Sequence, residues 1–289
     1  MTFAETYRRL AQDMMVYQMY NCKFTCRGLP MAKEMTAVHR EIDMSQHGVS
    51  VFSHKHHRVV PIRFVLAELC YLLSGSNDLE LIASYAATMR NYSNDGKTID
   101  GAYGYRLMKQ LPEMIARLKL DSYTRQACGV IYREDDIVSG KTHMPCNTFL
   151  QVLWRQPLIS LHVTSRSSDF VTGFSIDSLH WQFLLLLIAN ELCTVPDRVI
   201  YDIATLHIYQ HDMDAIGQWQ YTERLGGSYE HFLSTKLQLM QAIRKCQEFF
   251  QPKMSLMELC DLLELDKQST INAANLELLF QQHRNNIKR

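Results

Sequence analysis

The sequence predicts an α+β fold in which a mixed β-sheet is flanked by helices. Three observations predict it: helical apolar spacing in the first part of the chain, a switch to strict alternation in the middle, and a return to helical spacing towards the end. The alternation is clearest in Leu158–Thr164, where Ile159, Leu161 and Val163 interleave with Ser160, His162 and Thr164. Phe149–Trp154 reads as its partner strand, with Pro157 in the short connection, and Arg198–Ala204 as a further strand.

The helices follow from spacing and punctuation. Thr2–Met19 reads as an amphipathic opening helix. Pro61–Leu73 is densely apolar, with Pro61 near its start and Gly75 just past its end. Within it Glu68 stands alone among Phe64, Val65, Leu66, Leu69, Tyr71, Leu72 and Leu73, which is hard to arrange with the carboxylate in water. Asn91–Gly104 carries Asn, Asp, Gly and Ser and reads as a loop, followed by a helix over Leu107–Leu118. Ser178–Cys193 reads as a long, largely buried helix. After Gly226 the chain becomes helical: Leu239, Ile243, Cys246 and Phe250 share a face, and Ser255 with Glu258 forms a capping box.

Composition narrows the function. Thirty Lys plus Arg balance thirty Asp plus Glu over 289 residues, so a nucleic-acid polymer is not an expected partner, whereas a small phosphorylated ligand needs only a few arginines. Eight scattered cysteines without CxxC pairs, an N-terminus without a signal-like core, and an apolar run limited to Phe183–Ala189 predict a cytoplasmic protein with no membrane partner. The histidines His54, His56 and His57 lack acidic or cysteine partners, so a solvated loop rather than a metal site is expected.

Four segments carry chemistry: His143-Met-Pro-Cys146-Asn-Thr, Arg166-Ser-Ser-Asp169, Gly173-Phe-Ser-Ile-Asp177 and Thr205-Leu-His207-Ile-Tyr209. Taken singly, each has an ordinary reading. Cys146 is a buried thiol, Glu68 a surface or capped residue, Arg166 and Asp169 a surface ion pair, Asp177 a helix N-cap, and His207 and Tyr209 strand residues. In this order and spacing, however, they resemble the thymidylate synthase superfamily, in which a Pro-Cys nucleophile is followed by R-S-x-D, G-x-x-x-N and a T-H-x-Y-like segment. The resemblance is firm from Val60 to Tyr209.

That resemblance implies a single domain over 1–289, with a catalytic core at 60–215 between divergent parts at 1–59 and 216–289, and a homodimer packed through the sheet. It implies a pyrimidine nucleoside monophosphate as substrate and 5,10-methylenetetrahydrofolate as cofactor. Cys146 is then the nucleophile, Glu68 the proton-moving carboxylate and Tyr103, next to Gly104, a residue at the active-site rim. Arg27, Arg166 and Ser167 hold the phosphate, with Arg125 donated across the dimer. His207 and Tyr209 hold the ribose, and Asp169 and Gly173 lie at the cofactor.

The chemistry needs these residue types. Carbon 5 of a pyrimidine is a poor nucleophile, and a thiolate adding at carbon 6 turns the ring into an enamine or enolate that attacks an electrophile. Arginine matches a phosphate with its planar fork, and Arg166 beside Cys146 favours the thiolate. Asp177 stands where the synthases carry asparagine, and a protonated acid matches the N3 acceptor and amino donor of cytosine. Asp at this place, and Trp181-Gln182 after it, also resemble the deoxycytidylate hydroxymethylases of large phages. No tryptophan occurs in Met89–Gly104 and the tail Gln282–Arg289 is polar, so water access and a hydroxymethyl product are expected over a methyl one. Asn147, Ser168 and Gln126 depart from the residues common in the synthases. The rival readings are a methylase of dUMP or dCMP and a non-catalytic nucleotide-binding relative.

Overall fold

Alternation in the middle of the chain becomes sheet, and the helical stretches pack around it. The computed structural model describes residues 1–16, 31–44, 48–54, 61–137, 141, 143–213, 216 and 228–275. Along the chain come α1 (Phe3–Val16), β1 (Met31–Asp43), β2 (Val49–His54), α2 (Ile62–Ser74), α3 (Leu79–Ala83), α4 (Tyr103–Leu107) and α5 (Leu111–Leu120). There follow β3 (Cys128–Val130), β4 (Asn147–Arg155), β5 (Leu158–Ser165), β6 (Ser168–Asp169), α6 (Ser175–Glu191), β7 (Val195–Tyr209), β8 (Ser228–Leu233), α7 (Leu239–Phe249) and α8 (Leu256–Leu263).

The main sheet runs β1-β7-β5-β4-β3, with β6 beside β7. The β7–β5 and β7–β6 pairs are parallel and the others antiparallel, so the sheet is mixed as expected. In β5 the predicted alternation is seen as burial, with Ile159, Leu161 and Val163 inside. β2 and β8 form a separate two-stranded ribbon. Strand β8 lies in the part read from sequence as helical.

Helix α6 crosses the inner face of the sheet and packs on β5, β7, α2 and α7. It is apolar on every side, as a buried helix must be, and each fully enclosed side chain such as Leu184 or Leu185 contributes about 1.5–3 kcal/mol. With the turn before it, the stretch Phe170–Glu191 is long and apolar enough to cross a membrane, but 83% of that window is buried in the fold, which makes it a core helix.

Several boundaries differ from the sequence reading. The helix expected over Leu107–Leu118 is two, because Pro112 has no N–H to continue the ladder and the chain turns before restarting at Leu111. The loop over Asn91–Gly104 ends early, at Ala102. Gly104 lies in α4 where it crosses α2, and a Cβ there would fall 1.9 Å from the Leu72 carbonyl oxygen, so only glycine allows this crossing. Helix α6 begins at Ser175 after a single π-helical turn, Phe170–Phe174. Asp177 is therefore not its N-cap. Asp169 caps the turn instead, accepting from the N–H groups of Val171 and Thr172, both at 3.1 Å. Strand β7 extends to Tyr209, beyond the predicted Ala204, and so carries His207 and Tyr209. Gly75, at φ 70°, closes α2 as predicted, and Ser255 and Glu258 make the predicted capping box on α8.

Candidate active site

Cys146 lies in the bend that enters β4, and three contacts fix that bend. Asn94 clasps His143, its Nδ2 donating to the His143 carbonyl at 3.0 Å and its Oδ1 accepting from the His143 N–H at 3.2 Å. Gly101 passes so close that a Cβ would sit 3.0 Å from the Pro145 nitrogen. Arg166, at the end of the β4–β5 hairpin, closes the third side. Its backbone N–H donates to the Cys146 carbonyl at 2.9 Å, while its guanidinium donates to the carbonyls of Pro145 at 3.0 Å and Met144 at 3.1 Å. The guanidinium is thereby held against the backbone leading into Cys146, with the side chain exposed.

Behind Cys146 lies a group of buried and half-buried polar residues. Asn147, 1% exposed, donates from Nδ2 to Asp177 Oδ2 at 2.8 Å and accepts at Oδ1 from the Ser165 hydroxyl at 2.5 Å. The Tyr103 hydroxyl stands 3.5 Å from the same Asp177 oxygen, and its ring stacks on Trp181 with centroids 5.6 Å apart. Burial pushes the Asp177 carboxyl up to about 7, against the opposing pull of the Asn147 and Tyr103 hydrogen bonds. Burial, and the neighbouring Asp177 charge, raise Glu68 to about 8. At pH 7 Glu68 is thus mostly protonated, and Asp177 is divided about evenly between acid and carboxylate.

Glu68 reaches this group because α2 crosses α6. His180, one turn beyond Asp177, approaches Glu68 Oε2 at 3.8 Å, and its Nε2 lies 3.1 Å from the Val65 carbonyl oxygen. That oxygen only accepts, so Nε2 carries the proton, and burial lowers the imidazole to about 4, leaving it neutral. The sequence reading missed His180 and Ser165. The i, i+3 spacing from Asp177 was the available signal for His180, and strand pairing, with Asn147 opposite Ser165, was the signal for the other.

At the other end of the site, β6 lies beside the end of β7, with Asp169 paired to His207. The Ser167 hydroxyl is 3.3 Å from His207 Nδ1, and the His207 and Tyr209 rings meet edge to face at 5.1 Å. Ser167, His207 and Tyr209 are therefore gathered, as predicted. Asp169 and Gly173 lie in the π-turn beside them. A Cβ at Gly173 would stand 3.3 Å from Ser168 Oγ.

Arg125 is not part of this grouping. It is exposed beyond the Cys128–Gln151 pair, at the opposite end of β4 from Cys146, roughly 20 Å away along the strand. Arg27 lies outside the described residues, as do His56 and His57. A hollow of about 300 Å³ lies between β1, β5 and β7, lined by Ala37, Val38, His39, Thr164, Ser165, Asp202, Ile203 and Ala204, none of them a predicted site residue.

Comparisons with known proteins show the family and the fold. The family model for thymidylate synthase matches residues 6–269. A deoxyuridylate hydroxymethyltransferase of Pseudomonas phage M6 is 29% identical over 163 residues, 53% of this chain and 46% of that protein. A thymidylate synthase of Bacillus licheniformis is 25% identical over 151 residues, 48% of this chain and 54% of that protein. The chain thus spans about half the length of the curated relatives it matches. The thermostable thymidylate synthase A from Bacillus subtilis has the same fold, with a TM-score of 0.63 at 18% identity over 76% of this chain and 84% of that one. With the matched span reaching from α1 to beyond α8, the chain belongs to the thymidylate synthase family.

Proposed function

We propose that the protein transfers a one-carbon unit from 5,10-methylenetetrahydrofolate to carbon 5 of a cytosine nucleoside monophosphate, dCMP or CMP, and that water completes the reaction to give the 5-hydroxymethyl product. The observation that carries this reading is Asp177: a half-buried carboxyl, raised to about 7, beside Glu68 and sharing the Tyr103 neighbour with Cys146.

The Cys146 thiolate adds to carbon 6 of the ring, and the bonding electrons move towards carbon 5 and N3. Protonated Asp177 donates to N3, where the negative charge develops, and accepts from the exocyclic amino group. An asparagine-lined site suits uracil, and the acid reverses that preference by leaving mismatched groups unpaired. Carbon 5 then attacks the electrophilic carbon that the folate supplies. Loss of the proton from carbon 5 releases tetrahydrofolate and leaves an exocyclic methylene on the ring still bonded to Cys146. Water adds to that methylene as the bond from carbon 6 to Cys146 breaks and the ring double bond is restored, with Glu68 placed to take up and release the protons.

The residues present fit the nucleotide and the folate. Arg166 offers guanidinium donors at the phosphate end, and Ser167, His207 and Tyr209 face the sugar. Each Asp169 oxygen uses one lone pair on the π-turn and keeps another for a ring N–H of the folate. A homodimer through the outer face of the sheet brings the exposed Arg125 of one chain to the phosphate of the other. The domain division at 60–215, with parts 1–59 and 216–289 around it, is part of the same reading.

A second reading keeps the hydroxymethyl product but takes dUMP, and it rests on the hydroxymethyltransferase relatives, which are named for deoxyuridylate. A methyl product on either base is the third. Release of tritium from carbon 5 of labelled dCMP, CMP and dUMP, with and without the folate, separates the bases, and product mass separates hydroxymethyl from methyl. Asp177→Asn is expected to move the preference from dCMP towards dUMP by about a hundredfold. An unchanged preference overturns the assignment of the base.

A further inference from the structure

A neutral carboxyl can carry its proton on either oxygen, and only one arrangement offers a donor to N3 together with an acceptor to the amino group of cytosine. We infer that Asn147, held by Ser165, is a specificity-determining positioning residue that fixes the Asp177 proton on Oδ1. This inference rests on the cytosine reading proposed above.

The direction of each hydrogen bond carries the argument. The Ser165 hydroxyl lies 2.5 Å from Asn147 Oδ1, and an amide oxygen only accepts, so the hydroxyl donates. With Oδ1 so occupied, Asn147 Nδ2 points the other way and donates to Asp177 Oδ2 at 2.8 Å. Tyr103 brings its hydroxyl to the same oxygen. An oxygen facing an N–H donor at that distance does not carry a proton, so the proton belongs on Oδ1. The Tyr103 contact, at 3.5 Å, is long enough to give way to the base, so Oδ2 accepts from Asn147 and from the amino group of the base.

Uracil needs the reverse order, a donor at Oδ2 and an acceptor at Oδ1. That order requires the Asn147 amide to turn over and the Ser165 hydroxyl to rotate and accept. Both side chains are almost fully enclosed, Asn147 at 1% and Ser165 at 2% exposure, so water does not stand in for either partner. Ser165, by donating, holds the amide in the orientation that suits cytosine. The groups facing Asp177 from neighbouring elements are Glu68 on α2, Tyr103 on α4, Asn147 on β4 and Tyr201 on β7; Cys146 lies beside Tyr103, and His180 beside Glu68.

The test measures kcat/KM for dCMP and dUMP, with 5,10-methylenetetrahydrofolate, over a pH series for the full chain and two variants. In Asn147→Leu the dCMP-over-dUMP ratio is expected to fall about tenfold. The alkaline limb of the dCMP profile moves to higher pH, because the lost N–H had favoured the charged form of Asp177. In Ser165→Ala, which removes a single oxygen and serves if Asn147→Leu does not fold, the ratio falls about threefold through a rise in dUMP turnover. A loss of stability alone would lower both substrates together and leave the limb in place. A wild-type chain that prefers dUMP overturns the base reading itself. A dCMP preference and an alkaline limb that neither substitution moves overturn the role of Asn147 alone.

Discussion

At the base end of the candidate site, Glu68, Tyr103, Asn147 and Asp177 come from four elements of one chain and enclose each other; at the phosphate end, Arg166 is exposed and Arg125 stands at the far end of β4. At the base end burial raises two acids above the usual carboxylate range, an arrangement that opposes stability and that is common at functional sites. The phosphate end spends no such stability, since guanidinium groups in water are cheap to place. On the proposed function, base choice is set within one chain, while phosphate affinity is open to contribution from a second copy.

The largest effect expected is at the sulfur between the two ends. Cys146→Ser removes the nucleophile while leaving the clasp of Asn94 on His143 and of Arg166 on Pro145 intact. Tritium release from carbon 5 is expected to fall by about 10⁴-fold or more, with nucleotide binding preserved. Full release from the variant removes the covalent reading for both ends at once.

The next effect sharpens the contrast itself. Arg125→Ala is expected to raise the KM for the nucleotide about a hundredfold with little change in kcat, the pattern of a lost phosphate contact. Mixing that variant with Cys146→Ser, at a nucleotide concentration near the wild-type KM where each has little activity alone, pairs one intact Cys146 with one intact Arg125 in the mixed dimers. Activity returns to about a quarter of the wild-type value if Arg125 acts across the dimer. No recovery on mixing makes the phosphate end as self-contained as the base end, and the comparison fails.

The two ends also differed in how far the sequence revealed them. Cys146, Arg166 and Asp177 stood in motifs of fixed spacing, and β5 declared its inner face through alternation, so the sheet and the candidate nucleophile were legible together. Boundaries set by local caps and breaks inside apolar runs were not. The start of α6 depends on Asp169 capping a π-turn, and the break before α5 depends on Pro112, whose effect inside an otherwise helical pattern went unread. Ser165 was invisible for another reason: its role exists only because β4 and β5 pair in a register that sets it opposite Asn147. Glu68 was found through its neighbours, since a lone acid on an apolar helix has few places to go except a site.

The smallest effect tests whether the base end costs stability as claimed. Glu68 titrates at about 8 in the folded chain, against 4.5 for an ordinary glutamate. A folded pKa above the unfolded one means the folded state binds the proton more tightly, so the associated stability is fully present below about pH 4.5 and is lost as pH rises through 8. Glu68→Gln stays neutral at every pH and escapes that loss. With a quarter of the side chain exposed, the variant is expected to gain about 2 kcal/mol over the wild type between pH 5 and pH 9 while losing proton-transfer activity. Thermal melts of the two proteins across that range check it. Melting curves that shift in parallel with pH mean that Glu68 is charged in the folded chain, and the base end then carries no more strain than the phosphate end.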